Sequence, residues 1–440
     1  MNKEKITLIG AGLAGPLMAT YLAKRGYSVD IYERRPDMRK EKQTAGRSIN
    51  LALSVRGINA LKEVGIYDQI NPITIPMKGR MIHDLNGDTH LQPYGQKKDE
   101  MIYSVSRAQL NMDLMTRAEE TGRVEIHFNH KLKNADLTNK ILDFGGKQVS
   151  FNQVIGCDGS ASPLRKAIIE KSQADYVKKP LGHGYKELVI PPSENDEFLL
   201  DPNALHIWPR GEFMLIALPN LDRTFTCTLF FPMTGPTSFE TVKNENDITG
   251  LFKIYFLDAL ELMPTLVKDF QNNPTGNLAT VYCDPWHITD KAILLGDAAH
   301  AVVPFFGQGM NASFQDCTVL NNLIGENEGD WGKIFEKYSL SHVPNGHAIA
   351  DMAIENYIEM RDSVNNPNFK KRRQLELELE QKFPDKFIPR YSMVSFHQIP
   401  YADVYRRGAI QFDLMNKFMA GEISVTELHT TILGQLQPIK

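Results

Sequence analysis

Three glycines near the start of the chain have the spacing of a phosphate-binding turn. Gly10, Gly12 and Gly15 follow a short apolar run and precede a stretch of helix-forming residues. In such a turn the first glycine permits a tight bend, the second lets a pyrophosphate approach the backbone, and the third lets the helix pack closely. The N–H groups at the start of the helix would bind phosphate, and Glu33 would accept hydrogen bonds from an adenosine ribose. The alternative interpretation is a glycine-rich turn that binds no nucleotide.

Two later turns pair aspartate with glycine after apolar segments. Gly296 and Asp297 follow the apolar residues 293–295 and lead through a glycine-containing loop toward a predicted helix at 311–324. A helix N-terminus placed there would stabilise negative charge on a bound group. Asp158 and Gly159 follow a strand-like segment and begin the sequence DGSASPLR. Taken alone, this turn is an ordinary Asp-Gly turn with a helix cap.

The glycine turn needs a strand before it and a helix after it. Residues 5–9 predict a buried strand, residues 16–25 an apolar-periodic helix closed by Gly26, and residues 28–33 a second strand. This order predicts a parallel sheet that binds its ligand at the carboxyl ends of its strands. The chain is therefore predicted to begin with a Rossmann-like nucleotide-binding domain of the α/β class.

Composition and charge exclude several classes of partner. The 440 residues are 42% hydrophobic and 23% charged, which describes an ordinary folded protein long enough for two or three subdomains. A net charge of -4, from 49 basic and 53 acidic residues, gives no field that would attract nucleic acid or an anionic membrane. The four cysteines lack the spacing of a zinc site or a disulfide framework. We expect a small-molecule ligand, no metal, and buried thiols.

Taken in order, the three turns resemble the motifs of the FAD-dependent aromatic hydroxylases, the group A flavoprotein monooxygenases. The resemblance implies FAD as cofactor, NADPH as cosubstrate, and transfer of oxygen from O2 to an aromatic ring through a flavin hydroperoxide, with no catalytic side chain. It implies that Asp297 contacts the ribityl chain of FAD. The full set of implied cofactor contacts is Gly10, Gly12, Leu13, Gly15, Glu33, Arg34, Ala52, Arg107, Leu132, Asp158, Asp297, Gly309, Met310 and Asn311.

Longer segments resemble the branch of this family that hydroxylates L-kynurenine at position 3, in tryptophan catabolism by the kynurenine pathway. They include GRSINLALSVRG at 46–57, SVSRAQLN at 104–111, PFFGQGMNASFQD at 304–316 and PRYSMVSF at 389–396. The resemblance implies that Arg80 pairs with the substrate carboxylate, which suits a guanidinium that can donate two parallel hydrogen bonds. The other implied substrate contacts are Tyr94, Phe305, Asn356, Glu359, Met360 and Tyr391.

The residues alone leave these substrate contacts open. Helical periodicity places positions 356, 359 and 360 on one face, but Ile354 and Ile358 lie on the other, so the buried face is not decided. Without the resemblance, Asn356 and Glu359 are interpreted as solvated and Arg80 as a surface charge. The basic run 370–373, beside the acidic LELELE, is likewise interpreted as a solvated helix face.

The predicted architecture is an FAD-binding domain with an inserted antiparallel-sheet substrate domain and a helical C-terminal region. The FAD-binding domain is predicted to comprise residues 1–75, 101–175 and 284–330, and the substrate domain residues 76–100 and 176–283. Residues 331–440 are predicted to be helical, with Pro344, Pro367 and Pro384 separating the helices.

The two ends of the sequence bear on where in the cell the protein is expected to be. The first residues are mostly polar or charged and lead into an apolar run too short for a signal peptide, and the sequence ends without the hydrophobic segment that anchors animal members of the family to a membrane. We expect a soluble, cytoplasmic protein, as a monomer or homodimer.

Two other functions remain open at this point. One is hydroxylation of another phenolic or aromatic substrate, and the other is nonenzymatic flavin binding.

Overall fold

The chain folds into two compact units, each assembled from three separate segments. A computed structural model describes residues 4–40, 50–173, 175–361 and 367–439. Unit 1 comprises residues 1–75, 103–183 and 276–353, and unit 2 comprises residues 76–102, 184–275 and 354–440. The region predicted to be a helical C-terminal part is thus divided between the two units.

Nineteen strands occur within the described ranges. They are β1 (Lys5–Ile9), β2 (Ser28–Tyr32), β3 (Asn50–Leu53), β4 (Thr74–Met77), β5 (Gly79–His83), β6 (Thr89–Pro93), β7 (Ile102–Ser106), β8 (Val124–His127), β9 (Asn134–Asp136), β10 (Ile141–Asp143), β11 (Gln148–Ser150), β12 (Gln153–Gly156), β13 (Asp175–Ile190), β14 (Ala204–Arg210), β15 (Phe213–Pro219), β16 (Phe225–Pro232), β17 (Gly276–Asp284), β18 (His287–Ile288) and β19 (Ala292–Leu294).

Fifteen α-helices accompany them in the same ranges, with 3-10 turns at Asn71–Ile73 and Pro304–Phe306. They are α1 (Ala14–Lys24), α2 (Val55–Val64), α3 (Tyr67–Ile70), α4 (Arg107–Glu120), α5 (Pro163–Ser172), α6 (Glu245–Tyr255), α7 (Leu257–Leu260), α8 (Leu266–Asn272), α9 (Asp297–His300), α10 (Gly309–Glu326), α11 (Trp331–Arg361), α12 (Pro367–Lys382), α13 (Arg390–Phe396), α14 (Tyr401–Met419) and α15 (Val425–Gln435).

Unit 1 is built around a six-stranded sheet that carries the glycine turn. Its strand order is β18-β19-β12-β1-β2-β8, and β1 pairs in parallel with both β2 and β12. Four of the five residues of β1 are buried, which is typical of a parallel strand covered by helices on both faces. The predicted strand-helix-strand unit is confirmed, although α1 begins at Ala14 rather than at residue 16.

A second sheet has the order β17-β13-β16-β15-β14-β5-β6, and most of it belongs to unit 2. Strands β14, β15 and β16 pair antiparallel, as do β5 and β6, in agreement with the prediction. The prediction is wrong for β5 and β14, which pair in parallel with Arg80 opposite Leu205. These strands are far apart in sequence, so no hairpin sets their relative direction.

Helices also occur in the region that was predicted to form an antiparallel sheet. Helix α6 begins with a capping box, in which the Asn244 side chain accepts from the Asp247 N–H at 3.0 Å and the Asp247 carboxylate accepts from the Asn244 N–H at 3.3 Å. Its buried residues Ile248, Leu251 and Phe252 contribute to the core of unit 2. The capping pattern was visible in the sequence and indicates a helix start.

The long helix α11 continues through Pro344, which was predicted to separate two helices. That prediction is wrong because packing outweighs the local penalty. A proline in a helix interior costs about 3 kcal/mol. On this helix Ile334, Phe335 and Tyr338 are fully buried, while Pro344 is exposed.

The last helices form a core of their own. Leu379 of α12, Leu414 of α14, and Leu428 and Ile432 of α15 are buried together in unit 2. None of the helices in the described ranges is long and apolar enough to cross a membrane.

Candidate active site

The glycine turn is closely packed at Gly10 and Gly15 but leaves room for a ligand at Gly12. Gly10 has φ +98°, and a Cβ on it would lie 2.4 Å from the Cys157 carbonyl oxygen. A Cβ on Gly15 would lie 2.0 Å from the Gly10 carbonyl oxygen, whereas a Cβ on Gly12 would meet no atom within 4 Å. The open backbone at Gly12, directly before α1, fits the pyrophosphate of a dinucleotide cofactor. Leu13 is half-buried at the N-cap of α1.

Glu33 ties this turn to the end of β2. One carboxylate oxygen accepts from the Ala11 N–H at 2.7 Å, and the other accepts from the Arg35 N–H at 2.9 Å and Nε at 2.8 Å. Burial opposes ionisation, but the Arg35 guanidinium and the Ala11 N–H outweigh it and lower the pKa of Glu33. The carboxylate is therefore ionised at neutral pH and available as an acceptor. Arg34 is exposed beside it.

The Asp158-Gly159 turn is joined to the helix that follows Gly296. The Ser162 side chain caps α5 by accepting from the Arg165 N–H at 2.9 Å. The buried Arg165 guanidinium donates to the Ser160 carbonyl at 2.6 Å and to the Ala298 carbonyl at 2.8 Å. Burial raises the pKa of Asp158. Arg165 thus connects the Asp158-Gly159 turn with the helix that follows Gly296. The sequence gives only the order of these two turns along the chain and not the contact between them.

Asn311 fixes the loop before α10 by using both ends of its side-chain amide. Its oxygen accepts from the Ser54 N–H at 2.9 Å, and its nitrogen donates to the carbonyls of Ala52 at 2.8 Å and Gly307 at 2.9 Å. The amide thereby holds the end of β3 against the N-terminus of α10, where Met310 is buried. A role in positioning the backbone follows directly from these contacts, while direct contact with the cofactor stays a prediction.

The remaining cofactor positions predicted in unit 1 occupy different environments. Asp297 is exposed at the start of α9, and Arg107 is exposed at the start of α4. Leu132 is buried, and Gly309 is half-buried at the first position of α10. Phe305, predicted as a substrate contact, is also buried in unit 1.

Several of these groups follow neighbouring parallel strands. Gly10 follows β1, Glu33 follows β2, Asp158 lies just after β12 and Asp297 just after β19. Because the carboxyl ends of parallel strands meet at one edge of the sheet, the structure brings these four residues to the same edge. This edge is the candidate cofactor site.

A second cluster lies within unit 2 and surrounds Arg80. The Arg80 Nη1 lies 3.5 Å from the Glu359 Oε1, and its guanidinium carbon lies 4.9 Å from the ring centre of Tyr391 and 5.9 Å from that of Tyr94. The two tyrosine rings stack with centres 5.0 Å apart and planes at 8°. Arg80 is only 8% exposed. The interpretation of Arg80 as a surface charge is therefore wrong.

The electrostatics of this cluster suit a ligand with a carboxylate. Burial disfavours the charge of Arg80, but the acidic groups of Tyr391 and Glu359 outweigh it and raise the pKa of Arg80. Burial, followed by the nearby Tyr391, raises the pKa of Tyr94 well above its ordinary value. Arg80 is therefore a permanent cation, and the Tyr94 hydroxyl keeps its proton and can donate a hydrogen bond.

The end of α11 contributes a polar group to a buried face. Asn356 is 3% exposed and its Nδ2 lies 3.1 Å from the Met360 sulfur, whereas Ile358 is 48% exposed. The interpretation of Asn356 as solvated is therefore wrong, because the helix turns its Asn356 and Met360 face inward. Glu359 lies between the two faces, with 26% of its side chain exposed.

Sequence reasoning missed a contact made by α12. Arg373 donates to the Tyr94 carbonyl at 2.8 Å and to the Glu376 carboxylate at 2.9 Å. The interpretation of the run 370–373 as a solvated face is wrong for this residue. No signal in the basic run distinguishes Arg373 from its neighbours, because its partner at residue 94 is distant in sequence.

Comparison with known proteins identifies the family of the chain. A family model described as an FAD binding domain matches residues 3–339, so the class is that of FAD-binding proteins. The structure of 2-methyl-3-hydroxypyridine-5-carboxylic acid oxygenase is similar, with a TM-score of 0.68, 18% identity, and coverage of 83% of this chain and 95% of that one. Tetracycline destructase Tet(51) is similar with a TM-score of 0.62, 19% identity, and coverage of 87% and 97%. At this level of identity the two structures show the fold alone.

Relatives from distant organisms cover nearly the whole chain. Kynurenine 3-monooxygenase of Myxococcus xanthus is 45% identical over 96% of this chain and 92% of its own length. The proteins of the same name from Dictyostelium discoideum and Sus scrofa are 40% and 41% identical, over 99% and 98% of this chain and 98% and 92% of their own lengths. The chain belongs to the kynurenine 3-monooxygenase family.

Proposed function

We propose that this protein is an FAD-dependent monooxygenase that hydroxylates L-kynurenine to 3-hydroxy-L-kynurenine, with NADPH and O2 as cosubstrates. The observation that carries the proposal is the buried Arg80 beside Tyr94, Tyr391 and Glu359, in a chain of this family. A buried arginine beside a pair of stacked aromatic rings suits a carboxylate attached to an apolar group. L-Kynurenine carries such a carboxylate on an aromatic amino acid.

Unit 1 would hold FAD along the edge where its parallel strands end. The pyrophosphate would lie against Gly12 and the N-terminus of α1, the ribose near Glu33, and the ribityl chain near Asp297. Bound FAD supplies the redox chemistry that links oxidation of NADPH to activation of O2. The chain itself supplies the positions of the helix N-termini and of the ionised Glu33.

The Arg80 cluster would bind the amino-acid end of the substrate. Arg80 would pair with the α-carboxylate, the Tyr94 hydroxyl would donate to it, and Glu359 would face the α-ammonium group. Asn356 and Met360 would form the inner wall of the same site. The negative carboxylate of the substrate would thus face the positive Arg80, and its positive ammonium group would face the negative Glu359.

The protein's contribution to the chemical step is orientation. The aniline nitrogen of kynurenine enriches the adjacent ring carbon in electrons, so the ring needs no protein nucleophile or base. Phe305 would serve as an apolar wall that orients the ring and excludes water. His300 has no role in proton transfer in this proposal.

We further propose that the protein is cytoplasmic and is a monomer or a homodimer. Cell fractionation would test the location, and sedimentation would test the oligomeric state.

The decisive experiment is NADPH oxidation by the FAD-loaded protein with and without L-kynurenine, followed by mass spectrometry and chromatography of the product. Substrate-dependent oxidation that yields 3-hydroxykynurenine is the expected result. Oxidation that is faster while kynurenine stays unmodified would contradict the assigned substrate, as would the absence of any response. A tryptophan control, which shares the amino-acid end but has no free aromatic amine, is expected to give no hydroxylated product.

A further inference from the structure

Asp316 is a buried carboxylate on α10 that receives hydrogen bonds from the turn before α9. Its Oδ2 accepts from the Gly296 N–H at 2.8 Å and lies 2.6 Å from the His300 Nε2. Asp316 and His300 are each 3% exposed. Gly296 has φ +58°, and a Cβ on it would lie 2.7 Å from the Ser313 oxygen. One carboxylate therefore connects both ends of the Gly296–His300 segment to α10.

The surroundings of this pair are buried and mostly uncharged. From α11, the His342 Nε2 lies 3.8 Å from the Asp316 Oδ1, and burial lowers the pKa of His342. The α11 residue Tyr338 is also buried here, and burial raises its pKa well above the ordinary value. The ring of Trp286 stacks on that of His300 with centres 5.0 Å apart.

Four more ionisable groups act on the pair from neighbouring elements. They are His347 on α11, Asp297 on α9, Cys317 on α10 and Cys157 after β12, while Arg56 on α2 acts on the neighbouring His342. Burial disfavours both charges, but the charge and hydrogen bond of Asp316 outweigh it and raise the pKa of His300, and those of His300 lower the pKa of Asp316. Each partner therefore favours the charged form of the other.

We propose that Asp316 and His300 are positioning residues, a buried hydrogen-bonded pair that fixes the Gly296-Asp297 turn against α10 and so preorganises the FAD site. The proposal rests on the proposed function, because Asp297 and the N-terminus of α10 are the groups assigned to FAD. An isolated charge here would be strongly unfavourable, so each partner requires the other. Removal of either one would release the turn.

The test measures release of FAD from the purified holoenzyme, followed as the rise of flavin fluorescence after dilution. Asp316→Asn and His300→Gln are each expected to release FAD about tenfold faster or more, since a hydrogen bond to an ionised group contributes in that range. The double variant is expected to resemble the single variants, because the two residues act as one unit. Asp136→Asn is the matched control, since Asp136 also accepts backbone N–H groups in unit 1 but lies on the small β9-β10-β11 sheet.

A pH profile separates positioning from a general loss of stability. In Asp316→Asn the imidazole of His300 has lost its partner, so we expect it to be neutral at pH 8 and to become charged, with faster FAD release, as the pH falls toward 5.5. Wild type and the double variant are expected to show no such dependence. Wild-type release rates in the single variants would overturn the proposal, as would single variants that fail to fold, because the pair would then be structural only. A wild-type protein that carries no FAD would instead overturn the proposed function.

Discussion

At the scale of single residues, Arg80 is the group on which substrate recognition depends. We predict that Arg80→Lys raises KM for kynurenine about tenfold or more, since lysine keeps the charge but loses the planar pair of donors that matches a carboxylate. FAD content is expected to remain that of the wild type. Steady-state kinetics with a flavin absorption spectrum checks both expectations. The exposed Arg223, in the same unit, provides the matched Arg223→Lys control, and an unchanged KM in Arg80→Lys would exclude the carboxylate assignment.

A chain of buried polar groups in unit 2 bears on acid stability. The Asp258 carboxylate lies 2.8 Å from the His83 Nδ1, the His83 Nε2 lies 2.8 Å from the His206 Nδ1, and the His206 Nε2 donates to the Asp201 carbonyl at 2.8 Å. The Trp208 Nε1 also donates to Asp258 at 2.8 Å. Burial lowers the pKa of His206 from 6.5 to about 4.

We predict that His206 makes the folded protein less stable in mild acid. Because its folded pKa is depressed, its contribution is fully present above pH 6.5 and is lost as the pH falls toward 4. Between pH 7 and pH 5 this amounts to about 2 kcal/mol in the free energy of unfolding. Urea unfolding of wild type and His206→Gln at both pH values measures it. Equal pH dependence in the two proteins would refute the assignment.

The site residues differ in how far the sequence could identify them. Gly10, Gly12 and Gly15 were identifiable because the turn chemistry is local. The burial of Asn356 was not, because both faces of its helix carry apolar residues and the choice depends on tertiary packing. The role of Arg373 was also hidden, since its hydrogen bond to the Tyr94 carbonyl joins residues far apart in sequence.

At the scale of elements, the sequence predicts units whose parts are close in sequence better than it predicts the pairing of distant strands. The β1-α1-β2 unit followed from hydrophobic periodicity and a glycine turn within about thirty residues. The parallel pairing of β5 with β14 did not, because no connecting turn fixes their direction. Pro344 is the opposite case. Its local signal for the end of a helix is strong, but the packing of α11 outweighs it.

Helix α11 should become more stable when its proline is removed. We predict that Pro344→Ala raises the free energy of unfolding by about 1–3 kcal/mol, because alanine restores a backbone donor and has the best helix propensity. Leu340→Ala at another exposed position of the same helix is the control and is expected to change little. Urea unfolding compares the three proteins, and a Pro344→Ala protein less stable than wild type would show that the ring itself packs favourably.

The C-terminal core depends on the start of α15. The Ser424 side chain accepts from the Glu427 N–H at 3.2 Å, and the Glu427 carboxylate accepts from the Ser424 N–H at 2.8 Å. We predict that Ser424→Ala lowers the free energy of unfolding by about 1 kcal/mol, because it leaves a helix donor without its cap. Thr430→Ala in the same helix is the control. Hydrogen exchange at Leu428 and Ile432 should accelerate in Ser424→Ala, and unchanged exchange would contradict a capping role.

At the scale of the whole molecule, FAD should stabilise the two units unequally. A ligand that binds only the folded state, at about 100 times its Kd, contributes about 2.7 kcal/mol to stability. We predict that FAD raises the melting temperature and slows hydrogen exchange mainly in unit 1, which carries all the predicted cofactor contacts. Exchange mass spectrometry with and without FAD distinguishes the units. Protection confined to unit 2 would be the contrary result.

The division of each unit into three segments affects how the chain emerges from the ribosome. Unit 1 lacks its last segment until residue 353 has been made, which takes roughly 20 to 70 s at about 5–20 residues per second. Strand β1 is among the first elements synthesised, yet its neighbour β12 ends only at Gly156 and β19 only at Leu294. Until those strands are made, the nascent sheet exposes apolar surface that favours aggregation. We therefore expect the yield of folded protein to rise when chaperones that bind the growing chain are supplied during cell-free synthesis.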